Sequence, residues 1–336
     1  MLDSAEATDG WGKNNVLEVA GERVFVKRIP MTDLEFDNPF STRNLYALPT
    51  FYNYGVGSAG LGVYRELVAN IKTTNWVLDG EIQTFPLMYH HRICQSHGER
   101  QPLDIAKHHR YVEYWDGNVN IGQYMLDRLE AKHELVLFLE HIPNVLHPWL
   151  KENPHRTTDI LDQLRATLEF LRKNDIIHFD AHFHNILIGG DRPYLTDFGL
   201  VLDKSFELTV DEIAFFAANS AYDFGQVLCS ISYLIESQIE SLAESERKRV
   251  QEKYGFDDQT PGIDRLEILF DNLDELQVNG IVTLDRGYLD CVVKYQHIIM
   301  LVRRFYSGLQ RNNRKDNVFP NDELKSLLSQ TGFAQF

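Results

Sequence analysis

Ile176-Ile177-His178-Phe179-Asp180-Ala181-His182-Phe183-His184-Asn185-Ile186-Leu187-Ile188, the turn Gly189-Gly190-Asp191-Arg192-Pro193, and Tyr194-Leu195-Thr196-Asp197-Phe198-Gly199-Leu200 decide the fold. Two short apolar runs around a Gly-Gly-Asp turn predict a β-hairpin. Asp180 lies between an apolar Ile-Ile pair and a loop, and Asn185 directly precedes the first strand. Both side chains are therefore expected to face one cleft. Asp197, at the end of the return strand, comes back beside Asn185. Two carboxylates and an amide are the oxygen-bearing groups that phosphoryl transfer needs: one carboxylate to orient or deprotonate an attacking hydroxyl, and ligands for the ions that neutralise phosphate charge.

Upstream, Val16-Leu17-Glu18-Val19, the turn Ala20-Gly21-Glu22 and Arg23-Val24-Phe25-Val26-Lys27 predict another hairpin, with Lys27 interrupting an apolar run. Gly10-Trp11-Gly12 precedes it. The Gly-rich stretch Gly55 to Gly62 leads into a helix from Val63 to Ile71 that carries Glu66. Short apolar segments follow around Phe85 to Tyr89 and Leu135 to Leu139. From about Thr158, apolar residues recur at helical intervals up to Asn174-Asp175. Thr209 and Glu212 spell a capping box, a helix is expected over Phe224 to Ile235 opened by Asp223, and Glu244 to Lys253 reads as a charged linker between helices.

A chain of 336 residues with 43% hydrophobic content can bury a large core, which excludes a disordered or fibrous protein. The formal charge of −16 opposes binding to phosphate backbones and anionic lipid, so no nucleic-acid partner is expected. Cys94, Cys229 and Cys291 have no metal or disulfide spacing, and no apolar run approaches the roughly 18 residues of a membrane span. The first residues are acidic and polar. A reduced, cytoplasmic setting is the expectation.

His178-x-Asp180-x-His182-x-x-Asn185 followed by Asp197-Phe198-Gly199 resembles the catalytic loop and metal-binding motif of the protein kinase-like superfamily. Phe179 and His182 stand where eukaryotic protein kinases carry Arg and Lys. In that respect the loop is similar to aminoglycoside and choline phosphotransferases, whereas Asp-Phe-Gly is closer to protein kinases. The resemblance extends over Gly10 to Asp223 and is similar to a group of bacterial kinase-like proteins. It implies an α+β, bilobal fold: residues 1–142 as a β-rich N-lobe with insertions, and residues 143–336 as a mainly helical C-lobe.

By the same resemblance ATP and Mg2+ are the cofactors, Asp180 is the catalytic base, Asn185 and Asp197 are metal ligands, and His178 supports the loop. Lys27 is the strand lysine that contacts the α- and β-phosphates and pairs with a helix glutamate, for which Glu66 is the choice. The interval from residue 27 to residue 66 is 39 residues, long enough to imply an insertion. Gly10 and Gly12 resemble a shortened phosphate-covering loop, and Glu140-His141-Ile142-Pro143 the inter-lobe hinge whose backbone holds adenine. Gly55 to Gly62 shapes the entry to the helix or folds over the site as a lid. Asp223 resembles the buried aspartate beneath the catalytic loop, or is a plain helix cap. For His182 and His184 a loop-stabilising or solvated role stands beside a functional one, and a zinc site is disfavoured because no Cys or further His completes a tetrahedral set nearby.

The leading reading is an ATP-dependent kinase transferring the γ-phosphate to a Ser or Thr hydroxyl of a protein. The alternatives are a small-molecule kinase, a nucleotide-binding pseudokinase, and a scaffold that transfers AMP.

Overall fold

The computed structural model describes residues 6–8, 13–96 and 103–336. Its first half centres on an antiparallel five-stranded sheet in the order β1-β2-β3-β5-β4: β1 Glu6–Thr8, β2 Lys13–Val19, β3 Glu22–Met31, β4 Met88–Gln95 and β5 His133–Glu140. The β2–β3 register pairs Val19 with Glu22, so Ala20 and Gly21 form a two-residue turn. Both have positive φ (54° and 87°), the twist that a tight hairpin requires. The register also pairs Lys27 with Leu137 of β5, which centres the lysine on the sheet.

Between β3 and β4 run α1 Asp33–Phe36, a 3-10 turn Thr50–Asn53 and α2 Val63–Leu78, a helix one full turn and more longer than the expected Val63–Ile71. Val63, Tyr64 and Leu67 pack against Ile29, Met31, Leu135, Leu137 and Leu139 of the sheet. Residues 32–62 separate β3 from α2 and account for the long Lys27–Glu66 interval. Between β4 and β5 lie α3 Ile105–Tyr114 and α4 Val119–Leu129, which the apolar spacing had not marked.

The second half is helical. After β6 Asn144–Val145 come α5 Leu146–Glu152 and α6 Thr157–Lys173, whose buried Ile160, Leu161, Leu164, Leu168 and Leu171 form the stripe read from the sequence. β7 Ile176–Ile177 pairs with β10 Leu202–Asp203, and β8 Ile186–Gly189 with β9 Arg192–Leu195. The chain continues through α7 Val210–Ala218, α8 Tyr222–Cys229, α9 Ser232–Ser241, α10 Glu244–Tyr254, α11 Gly262–Asp271, α12 Leu273–Val278, α13 Arg286–Arg311 and α14 Asn321–Gln330. The fold is mixed α+β. Among the described residues no helix is long and apolar enough to cross a membrane.

Two local expectations are corrected. Residues 244–253 are the body of α10 and not a linker: Glu, Lys and Arg are good helix formers, and Lys248 pairs with Glu244 one turn away at 2.7 Å. The helix expected over Phe224 to Ile235 is broken in two. Ser230 Oγ donates to the Gln226 carbonyl and Ser232 Oγ to that of Cys229, at the junction where α8 ends and α9 begins. Serines that bond to their own backbone compete with helix continuation.

Candidate active site

The β8–β9 hairpin places the first two groups. Its register ends on Ile186 opposite Leu195, and one further bond runs from the Thr196 amide to the Asn185 carbonyl (3.0 Å). Asp197 therefore follows directly beside Asn185. It is in the left-handed region, φ 66° and ψ 76°, as is Phe179 at φ 62°. Non-glycine residues held there cost about 1–3 kcal/mol each and persist where surrounding contacts over-determine them. Asp223, in the first turn of α8, supplies those contacts for Phe179: its carboxylate accepts the His178 amide (2.7 Å) and the Phe179 amide (2.9 Å) from a buried position. The aspartate is thus an anchor for the loop and not merely a cap.

Asp180 emerges above this anchor. Asn185 Nδ2 donates to Asp180 Oδ2 at 2.7 Å and to its carbonyl at 3.1 Å. Oδ1 is buried and has no hydrogen-bond partner among the described residues, with His182 Nε2 3.4 Å away. Burial, and then the neighbouring Asp197, push the Asp180 carboxyl up to about 8. His178 is completely buried; its Nδ1 accepts the Asp180 amide at 3.2 Å, and burial pulls it down to about 3, so the ring is neutral and structural.

Lys27 reaches across from the sheet. Its Nζ lies 2.7 Å from Glu66 Oε1 and 2.8 Å from Asp197 Oδ1, linking β3, α2 and the end of the β8–β9 hairpin. Burial alone would depress this lysine, but the two carboxylates outweigh it and hold it above its ordinary value. Asp197 is likewise lowered: burial raises it, and Lys27 overcomes that. The expected Lys27, Glu66, Asp180, Asn185 and Asp197 thus converge on a single cleft of about 550 Å3, within the range of ligand pockets. Its other end is apolar, formed by Val16, Phe25, Leu139, Ile142, Val145 and Leu187.

The residues of the expected hinge are placed differently. Ile142 lines the apolar end, but the Glu140 amide donates to the Leu87 carbonyl (2.7 Å) and its side chain accepts the Leu87 amide (3.1 Å). That residue ties β5 to the entry of β4, so its amide is not open to a ligand. Gly10 and Gly12 lie outside the described residues.

The structure adds detail to two features that the sequence left open, loop 55–62 and His182, and one that it did not mark, Glu35. The loop 55–62 does more than shape the entry to α2: it lies on the site. Leu61 N–H donates to the Gly199 carbonyl at 3.0 Å, and a Cβ built on Gly55 would stand 2.5 Å from Asp180 Oδ1. From its outer side, Tyr114 and Tyr111 of α3 donate to the carbonyls of Val56 (2.9 Å) and Gly57 (3.0 Å). His182, left open by the sequence, belongs to the site. The His184 amide donates to its Nδ1 at 3.2 Å, which leaves the ring proton on Nε2, the nitrogen facing Asp180. Burial, then His184, lower it to about 4. Finally, buried Glu35 accepts the Val63 amide (3.0 Å) and so fixes the first turn of the helix that presents Glu66. Thr32 and Glu35 form a capping box, a signal readable in the sequence.

The chain matches no protein-family model and no curated protein.

Proposed function

We propose that this protein is an ATP- and magnesium-dependent phosphotransferase of bilobal, protein kinase-like architecture, with residues 1–142 as the N-lobe and 143–336 as the C-lobe. One observation carries the reading: Lys27 is held between Glu66 and Asp197 while Asp180 and Asn185 face the same cleft. A cation flanked by carboxylates, next to an unpartnered buried carboxylate oxygen, suits a polyanion on one side and a hydroxyl on the other.

In this reading the apolar end of the cleft takes the adenine and Lys27 the α- and β-phosphates. Asn185 and Asp197 would hold Mg2+. The donor set fits, because magnesium uses one or two protein ligands together with substrate phosphates, Asn185 has turned its NH2 to Asp180 and so offers Oδ1, and the Asp197 side chain is 42% exposed to the cleft. When bound, the ion neutralises phosphate charge. Asp180 accepts the acceptor's hydroxyl proton at Oδ1, Asn185 fixes the carboxylate's orientation through Oδ2, and Asp223 holds the loop under both.

Of the acceptors the sequence left open, a protein Ser or Thr and a small alcohol, loop 55–62 favours the small molecule. An extended peptide needs an open groove beside the base, and here Gly55 closes on Asp180 while the loop that carries it is hydrogen-bonded at Val56, Gly57 and Leu61.

The test combines thermal shift with transfer of labelled phosphate. Mg·ATP is expected to raise Tm in the wild type and in Asp180→Asn, and to do so weakly or not at all in Asp197→Asn and Lys27→Met. Transfer is expected to fall by about 10² to 10⁴ in Asp180→Asn, the usual worth of a general base. No Tm gain with Mg·ATP refutes the reading; a gain without turnover makes the chain a pseudokinase, and transfer of AMP would show as a different added mass on the product.

A further inference from the structure

A second cleft, of about 210 Å3, adjoins the nucleotide cleft where Gly55 and His182 meet. Gly55 and His182 line both, and both adjoin Asp180: Gly55 through its close approach to Oδ1, His182 through Nε2. Resting on the phosphotransferase reading, we propose that this second cleft is the acceptor site and that the acceptor is a small, uncharged, polyhydroxylated alcohol of about the size of a single sugar ring or cyclitol.

The lining decides the class. Gln226, Ser230, Tyr233, Ser307 and Gln310 present neutral amides and hydroxyls. The formal cation, Arg303, is bound to Glu236 by a short ion pair, so its charge is already balanced. Among the described residues no Asp or Glu lines the cleft. A polycationic acceptor, such as an amino sugar with several ammonium groups, would find no carboxylate to replace its hydration. A hydroxyl is both donor and acceptor and suits this mixture.

An independent observation points to a ligand here. Gln226 is only 5% exposed, and its Oε1 is buried with no hydrogen-bond partner among the described residues. Buried polar atoms are nearly always satisfied, so an unpaired one in a cleft wall is an acceptor open to a ligand's hydroxyl. Tyr233, Tyr306 and Ile263 add the apolar surface that the C–H face of a ring requires. The volume sits below the range for drug-sized ligands and matches a single ring better than a larger acceptor.

The reaction balances as follows. The alcohol oxygen attacks the γ-phosphorus and forms the new P–O bond, the bond to the β,γ-bridging oxygen breaks with its electron pair leaving on ADP, and the alcohol proton passes to Asp180 Oδ1. The products are ADP, a phosphate monoester and one proton released on turnover.

The test uses the full chain with Mg·ATP. ADP release and phosphate incorporation are measured with myo-inositol, glucose and glycerol as neutral polyols, kanamycin as a polycationic sugar, and myelin basic protein as a protein acceptor. Transfer to at least one polyol is expected, with kanamycin and the protein unlabelled. In Gln226→Leu the KM for that polyol should rise at least tenfold with the KM for ATP within twofold. Ser307→Trp, which fills the cleft from the opposite wall and does not depend on a buried glutamine, should behave likewise. Transfer only to kanamycin or to the protein, no transfer to any polyol, or polyol KM values unmoved by both substitutions overturns the acceptor assignment while a Mg·ATP thermal shift keeps the phosphotransferase reading. Absence of that shift overturns both.

Discussion

Arg65 Nη2 stands 2.7 Å from Glu212 Oε1, and both side chains are almost wholly buried, at 1% and 2% exposure. The pair joins α2, the helix that carries Glu66, to the capping box that opens α7 in the helical half. Arg65 Nε also donates to the Thr42 carbonyl at 2.7 Å, in the insertion ahead of α2. Helix α2 is therefore tied to the helical half one residue away from the glutamate that holds Lys27.

Removing one member of such a pair strands the other charge in a dry site, which costs about 3–5 kcal/mol. Arg65→Met is expected to lower the unfolding free energy by that amount in urea titration. Glu212→Gln should do so too, through the lost charge, because the Gln side-chain oxygen can still accept the Thr209 amide. The double variant should recover part of the cost. Additive losses would show that the pair does not act as a unit.

Gly55 is required by space and not by backbone conformation. Gly55→Ala brings a methyl to within 2.5 Å of Asp180 Oδ1, so the carboxylate must shift away from Asn185. Misplacement by about 1 Å costs on the order of 10² in rate. The expected result is a fall in kcat of that size with an unchanged Mg·ATP thermal shift; a full kcat would mean that Oδ1 is not the working oxygen.

The rate should also depend on pH in a definite direction. Burial and Asp197 raise Asp180 to about 8, so in the free protein the base is protonated below that value and ionised above it. The kcat/KM for Mg·ATP and acceptor is expected to rise with pH through an apparent value near 8, which belongs to the Asp180–Asp197 pair jointly. A profile flat from pH 6 to 9 would contradict this.

Stability should respond to acid through His178. Burial lowers it to about 3 in the fold, against about 6.5 when unfolded, so below pH 6.5 the unfolded chain binds a proton that the folded chain refuses. Its contribution is intact above the unfolded value and is lost as pH falls toward 3, at about 1.4 kcal/mol per pH unit. Asp180 and Asp223, raised to about 8 and about 7, pull the opposite way, because the folded state holds their protons more tightly. The readout is accordingly a difference. From pH 6 to 4 the unfolding free energy of wild type should fall about one proton's slope more steeply than that of His178→Asn, and parallel slopes would place the histidine's neutrality in doubt.

Much of this site is written in local sequence. Asn185 and Asp197 meet because a Gly190-Asp191 turn sets a register that pairs Asn185 with Thr196, and turn chemistry of that kind is legible in a few residues. The Lys27 strand, the α6 stripe and the Thr209 capping box are equally local. Segment 244–253 was misread because high charge suits a solvated helix as well as a loop, and the α8–α9 break was missed because serine back-bonding leaves the apolar spacing intact.

By itself the sequence determined which chemical groups are present and which lie on strands, helices and turns, because turn residues, caps and apolar periodicity act over a few positions. It therefore named Lys27, Asp180, Asn185 and Asp197. Only the tertiary structure decided that Glu66 reaches Lys27, that residues 55–62 roof the Asp180 carboxylate, and that Gln226 faces a second cleft beside His182. Those relations join residues tens to more than a hundred positions apart, and they follow from how layers pack and where buried charges find partners, which no local pattern encodes.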